Sequence, residues 1–92
     1  MNNKKIIFIT GATAGFGKAI AYKFAAHGWD IIINGRRVDR LNQIETDLKE
    51  QFGVKVLSLP FDVRDRALVQ QNIQSLPHDW KEIDVLVNNA GL

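Results

Sequence analysis

Three glycines, Gly11, Gly15 and Gly17, fall within the stretch FITGATAGFG, between a short apolar run and a segment of helical pattern. Where a strand turns into a helix, backbone N–H groups and the positive end of the helix dipole can hold a phosphate. Glycine removes the Cβ atoms that would block close approach. With Ala12, Thr13, Ala14 and Phe16 these glycines form a candidate phosphate turn. A tight turn without a ligand suits the same trio, because glycine accepts positive φ anywhere.

The GFGK at its end suggests a nucleotide triphosphatase loop, G-x-x-x-x-G-K-[ST]. Counting back from Gly17 puts Ala12 at the first glycine and Ala19 at the metal-binding hydroxyl, which disfavours that reading. The dinucleotide pattern G-x-G-x-x-G is also missing, since the spacing is G-x-x-x-G-x-G, although the strand-turn-helix setting is present.

A second candidate lies further on. In dinucleotide-binding folds the end of the second strand adjoins the adenosine ribose, where an acid accepts from the 2′-hydroxyl and repels a 2′-phosphate. Here that end reads Asn34, Gly35, Arg36, Arg37. Asp30 is expected to precede the strand and so to be a decoy for that acid. Two guanidiniums stand where a 2′-phosphate would arrive, and Arg suits bidentate phosphate contact, which favours NADP over NAD. The competing account makes both arginines solvated residues opening a helix, poorly placed against its positive end.

The elements that must position these groups follow from pattern. KKIIFIT is a β-branched run expected as a first strand over 5–10. Phe16, Ile20 and Phe24 recur at helical spacing and predict a helix over 16–27, with Gly28 as its stop and Ala21, Ala25 and Ala26 allowing close packing. DIIIN gives a second strand, over 31–33. Leu41, Ile44, Leu48 and Phe52 share one helical face, with Asp39 able to cap the start and Gly53 to close the end. VKVLSLP gives a third strand ending at Pro60. Asp65 is a plausible cap for a third helix carrying Val69, Ile73 and Leu76, which Pro77 ends, and residues 83–87 supply a fourth strand. The alternation predicts an α/β, Rossmann-like doubly wound parallel sheet with helices on both faces, in the order β-α-β-α-β-α-β. A fourth strand buried on both sides expects a covering helix next, so residues 1–92 read as the N-terminal part of one larger nucleotide-binding domain.

Composition excludes several classes. The 92 residues allow one modest core, and a net charge of +2 from scattered residues is too weak for a nucleic-acid footprint. With no cysteine, thiolate metal sites, disulfides and cysteine nucleophiles are excluded, and His27 and His78 have no ligand spacing, so no metal is expected. The apolar start stops after Ile9, which indicates no secretory leader, and no run approaches membrane-spanning length; a cytoplasmic location is expected. Trp29 and Trp80 read as packing residues, and His27 as serving the C-terminal end of the first helix.

The sequence T-G-x-x-x-G-x-G after a first strand resembles the short-chain dehydrogenase/reductase family, as does NNAG at the exit of the fourth strand. More narrowly, TGATAGFG, GRRVDRL, FDVRDRA, SLPHDW and IDVLVNNAGL resemble the NADP-dependent 3-hydroxy acid dehydrogenases that act on serine or allo-threonine-like substrates. The resemblance implies hydride transfer between NADP and a secondary alcohol or ketone, a small-molecule hydroxy acid or ketone substrate, and a homo-oligomer. It implies that Asp62 accepts from the adenine amine, that Val63 offers its backbone, and that Asn89, Ala90 and Gly91 run beside the ribose. Taken alone, Asp62 suits a turn cap as well. Family members preferring NADP often carry a basic residue where this chain has Ala14, so the 2′-phosphate rests on Arg36 and Arg37. The catalytic serine and Tyr-x-x-x-Lys pair of the family are not found here: Tyr22 is the sole tyrosine, and Ala26 stands four residues on. No catalytic residue is therefore assigned. The cofactor-binding part of an oxidoreductase is expected, ahead of a stand-alone NADP-binding module or a remnant that binds nothing.

Overall fold

A computed structural model describes residues 4–89. The β-branched runs form strands β1 (Ile6–Ile9), β2 (Asp30–Gly35), β3 (Val56–Pro60) and β4 (Val85–Val87). Between them lie helices α1 (Gly15–Ala26), α2 (Val38–Phe52) and α3 (Arg66–Gln74), and a single 3₁₀ turn at His78–Trp80. The strands pair in parallel in the order β3-β2-β1-β4. This is the α/β sheet that the alternation predicts. Among the described residues, no helix is long and apolar enough to cross a membrane.

Register places Ile7 beside Ile31 and Ile9 beside Ile33 on one face, with Phe8 beside Ile32 on the other. On the first face Ile7, Ile9, Ile31 and Ile33 pack with Ala21 and Ala25 of α1 and Leu41, Ile44 and Leu48 of α2. On the second, Phe8 and Ile32 meet Phe61, Leu76 and Trp80. The two faces are unequally filled. No residue of α3 is buried, and Leu86, Ile73 and Leu68 stay exposed. Each fully buried Ile or Leu contributes about 1.5–3 kcal/mol, so the α1/α2 face supplies most of the stability.

Three expected details change. In α1 the buried positions are Gly17, Ala21 and Ala25, while Phe16 is 80% exposed. The helix rests on its row of small residues because these let its backbone approach the sheet. Ile20 and Phe24 flank that row, and Phe24 meets Trp29 edge-on at 4.9 Å. Asp39 is not the cap of α2: Arg37 takes that place with no side-chain cap bond, and Asp39 lies in the first turn, where its charge still suits the dipole. In α3 the helix stops at Gln74, so Leu76 is buried from the following turn and Ile73 remains on an open side.

Other boundaries follow from specific bonds. Gly53 ends α2 at φ 68, its N–H bonding Lys49 O. Asp30 opens β2 rather than preceding it; its carboxylate accepts from Lys55 N–H at 3.0 Å and faces Lys4 at 3.7 Å. At the head of β4 the Asp84 carboxylate takes the Ile6 N–H at 2.9 Å and shortens that strand.

The Asp65 carboxylate caps α3 by accepting from Ala67 N–H at 3.1 Å and Leu68 N–H at 3.3 Å. Because α3 buries so little, this cap is a large share of what holds its start. Asp65→Ala is expected to lower the unfolding free energy by about 1 kcal/mol and Asp65→Asn by a few tenths, read from urea denaturation midpoints.

Candidate functional site

The C-terminal ends of the four parallel strands bring together the turn after β1, the exit of β2, the loop after β3 and the segment after β4. Open parallel sheets take ligands at this end.

The turn is closed by contacts that only small residues permit. A Cβ on Gly17 would stand 2.3 Å from Gly11 O and 2.9 Å from Asn89 Nδ2, so the first turn of α1 is pressed against the residue that leaves β1. Gly11 and Gly15 serve differently, holding φ of 61 and 59, a left-handed conformation that side chains disfavour. Ala14 stands at the N-cap of α1 with no side-chain cap bond, and no acid occupies the first turn. The N–H groups that open α1, with the positive end of its dipole, are thus left to whatever enters the turn. Phe16 points outward, so its contribution to a cradle is its backbone.

Asn89 joins the turn to β4. Its Nδ2 donates to Gly11 O at 3.1 Å and its N–H to Thr10 Oγ1 at 2.9 Å, while Thr10 itself is buried and reaches Val87 O. Ala90 and Gly91 lie outside the described residues.

Sequence reasoning passed over Asn34 as a strand-ending polar residue, yet its side chain is 1% exposed and fully used. Nδ2 donates to Leu59 O and Phe61 O, both at 3.0 Å, and Oδ1 accepts from Gly11 N–H at 3.3 Å. Its main-chain oxygen also accepts from Ala12 N–H at 2.8 Å. One residue thereby ties β2 to both flanking loops. The signal in the sequence is an amide closing the run DIIIN, where burial demands that every polar atom find a partner.

These segments enclose a cleft of about 300 Å³. Gly11 and Thr13 form one wall, Gly35 and Arg36 a second, and Asp62, Val63 and Arg64 a third. A Cβ on Gly35 would stand 2.5 Å from Thr13 Cγ2, so the close approach of the first two walls requires that glycine. The two candidate arginines part company here. Arg36 lines the cleft, whereas Arg37 lies outside it, 3.8 Å from the Asp39 carboxylate.

The third wall carries an ion pair. The Arg64 Nη2 donates to Asp62 Oδ2 at 2.8 Å and Nε to Oδ1 at 3.1 Å, while the Arg64 main-chain N–H donates to Oδ1 at 3.0 Å. These bonds, with the charge of Arg36 nearby, hold the Asp62 carboxyl down at about 2. Asp62 is therefore an ionised, acceptor-only group across the physiological range. Tyr22 is far from such use. Burial and the Asp47 carboxylate, which accepts its hydroxyl proton at 3.1 Å, push its pKa up, the opposite of what a proton-transferring tyrosine needs.

Asn34→Leu keeps the branched shape while leaving one N–H and two carbonyls without their partner. It is expected to lower the unfolding free energy by about 2–4 kcal/mol in chemical denaturation. A loss under about 1 kcal/mol would mean that water reaches these groups and that the amide is not the tie between the loops.

Comparison with known proteins agrees with this geometry. The family model described as short chain dehydrogenase matches residues 5–92. The NADP-dependent 3-hydroxy acid dehydrogenase of Salmonella typhi is 49% identical over 87 residues, which cover 95% of this chain and 34% of that protein. A sulfoacetaldehyde reductase of Chromohalobacter salexigens is 43% identical over 86 residues, covering 94% of this chain and 33% of its own. The crystal structure of L-sorbose reductase from Gluconobacter frateurii, complexed with NADPH and L-sorbose, superposes with a TM-score of 0.89 at 42% identity, over 97% of this chain and 34% of that one. The chain spans about a third of the length of these relatives. Matched along nearly its whole length by the family model, and folded as these relatives are, the chain belongs to the short-chain dehydrogenase family.

Proposed function

We propose that this chain is the cofactor-binding part of an NADP-dependent oxidoreductase that transfers hydride between NADP(H) and a secondary alcohol or ketone, with a small hydroxy acid as the substrate class. The observation that carries the reading is that a turn too tight for side chains and Arg36, in place of a ribose-binding acid, share one cleft, with the uncapped N-terminus of α1 following directly on that turn.

The residues fit the group they would hold. Amides from Thr13 through Gly17 suit a pyrophosphate, because the dipole of α1 favours negative charge where they point, while those of Gly11 and Ala12 are held by Asn34. Gly35 ends β2 without a carboxylate, so nothing there repels a 2′-phosphate, and the guanidinium of Arg36 offers it charge-assisted bonds. Asp62 and Val63 line the wall that the family resemblance assigns to adenine, Asp62 with both carboxylate oxygens bonded to Arg64. Asn89 steadies the turn through Gly11 O and Thr10 Oγ1, and the family resemblance assigns it to the ribose together with Ala90 and Gly91. When bound, the nicotinamide supplies the redox chemistry, and the part these residues take is to bind and orient it.

Relatives of similar identity are named for different small carbonyl or hydroxyl compounds: a 3-hydroxy acid, sulfoacetaldehyde and L-sorbose. What they have in common with this chain is nearly its whole length, about a third of their own. The 3-hydroxy acid class rests on the segments GRRVDRL, FDVRDRA and SLPHDW as well as on the relative with the highest identity of the three.

Arg36→Ala is expected to weaken NADPH binding about 10- to 100-fold while NADH binding changes by less than about threefold, measured by paired calorimetric titrations. Arg37→Ala is expected to have the smaller effect, because that side chain lies outside the cleft and beside Asp39. Equal losses for the two cofactors in Arg36→Ala would remove the 2′-phosphate from this site.

A further inference from the structure

Arg64 meets Asp62 with one edge of its guanidinium. Nε and Nη2 donate to the carboxylate at 2.8 to 3.2 Å, and the main-chain N–H of Arg64 adds a bond of 3.0 Å, so this one residue engages both carboxylate oxygens. A fork of this kind uses the edge of the guanidinium and leaves its two faces free. The Arg64 side chain is 73% exposed and lines the cleft. What the third wall offers a ligand is thus a flat cation whose edge is taken and whose faces are open. The other planar groups along the cleft have other places. Phe61 is 8% exposed and packs with Phe8, Ile32 and Trp80 on the second face of the sheet. Arg36 stands at the exit of β2, where the reading above gives it the 2′-phosphate. The ribose that carries that phosphate also carries the base. With the pyrophosphate at the start of α1 and the 2′-phosphate at the exit of β2, the wall left for the base is the loop after β3.

We propose that Arg64 is the stacking surface for the nucleobase of the cofactor: an open face of its guanidinium lies against the ring plane, and the Asp62 carboxylate holds the guanidinium in place by its edge. The proposal rests on the cofactor reading above and adds a binding residue to it. Bases stack on guanidinium planes as they do on aromatic rings, and such contacts do not depend on the donors and acceptors along the edge of the base. Holding the edge beforehand lowers the ordering cost when a base arrives, because the long side chain is already restricted. Lysine cannot serve in this way, because its ammonium is a compact point charge without a face.

The test compares the full chain with Arg64→Ala and Arg64→Lys, whose exposed position is compatible with folding in both variants. Each is titrated by calorimetry with adenosine 2′,5′-bisphosphate and with the methyl riboside bisphosphate that carries the same phosphates and no base. The ratio of the two dissociation constants isolates the base, since charge lost from the wall weakens both probes alike. The unaltered protein is expected to favour the adenosine probe by about tenfold or more, and both variants to lower that preference by about fivefold, Arg64→Lys included although it keeps the charge. A second readout separates contact from bracing of the loop. The Nε–H and δ-methylene proton resonances of Arg64 should move upfield, in the ring current of adenine, when the adenosine probe binds and not when the base-free probe does. A preference in either variant within about twofold of that of the unaltered protein overturns the proposal, and so does the absence of the upfield shift. If the unaltered protein binds both probes equally, this proposal falls while the 2′-phosphate reading stands. If it binds neither, the cofactor reading itself falls.

Discussion

Four parallel strands end together, and three of the segments leaving them are held to one another through the buried carboxamide of Asn34. Its bonds to Gly11, Leu59 and Phe61 cross from the phosphate turn to the loop that carries Asp62, Val63 and Arg64. An amide suits this place because it donates twice and accepts at the same time. Aspartate could not donate to the two carbonyls, and an aliphatic residue would leave the same groups buried and unpaired. With the tie in place, the pinning of Gly17 against Gly11 and Asn89 sets the pitch of α1 relative to the sheet. The roots of the cleft's walls are then held to one another at the strand ends.

Elements repeating at strand or helix period were legible in the sequence, because each period reports burial directly. The isoleucines of β1 and β2 and the row Leu41, Ile44, Leu48 are all buried as their spacing predicts. The face of α1 was read in part: Ala21 and Ala25, expected to allow close packing, are buried, but the row of large apolar residues is not the one that meets the sheet. Phe16, Ile20 and Phe24 lie one residue before Gly17, Ala21 and Ala25 in each turn, and it is the latter row that is buried. The start of α2 was misread for a related reason. An aspartate in a first turn gains from the dipole without serving as a cap, and both arrangements put the same residue type within two positions.

The tightness of the turn was legible from its glycines, since Gly11 and Gly15 hold positive φ and Gly17 has no room for a Cβ, and the walls around it were legible only in part. Arg36 and Arg37 are equivalent in composition, yet the chain bends at Arg36 as it leaves β2 and is extended only at Arg37, so the two side chains depart in different directions. One guanidinium reaches the cleft and the other is left beside Asp39. Arg64 lay hidden for a different reason: its partner, Asp62, is two residues away, and a local pair of this kind looks like an ordinary loop until the fork geometry and the cleft beside it are known.

Burial and hydrogen bonding divide the work between the two faces of the sheet. The α1/α2 face is held by apolar side chains removed from water, which makes the phosphate turn the rigid part of the site. The loop after β3 leads into a helix with no buried residue, so beyond Phe61 packing holds it only weakly. Polar bonds take that role: Asn34 holds Phe61 O, Asp65 N–H holds Asp62 O, and the Asp65 carboxylate caps the helix that follows. A wall built in this way keeps its shape at small cost in buried area while leaving its outward side chains, Arg64 among them, in contact with solvent. Regions of low buried area open locally at lower free energy than the core. The end of the cleft formed by the loop after β3 is therefore the end that can yield as a ligand arrives, against a glycine turn that is already in place.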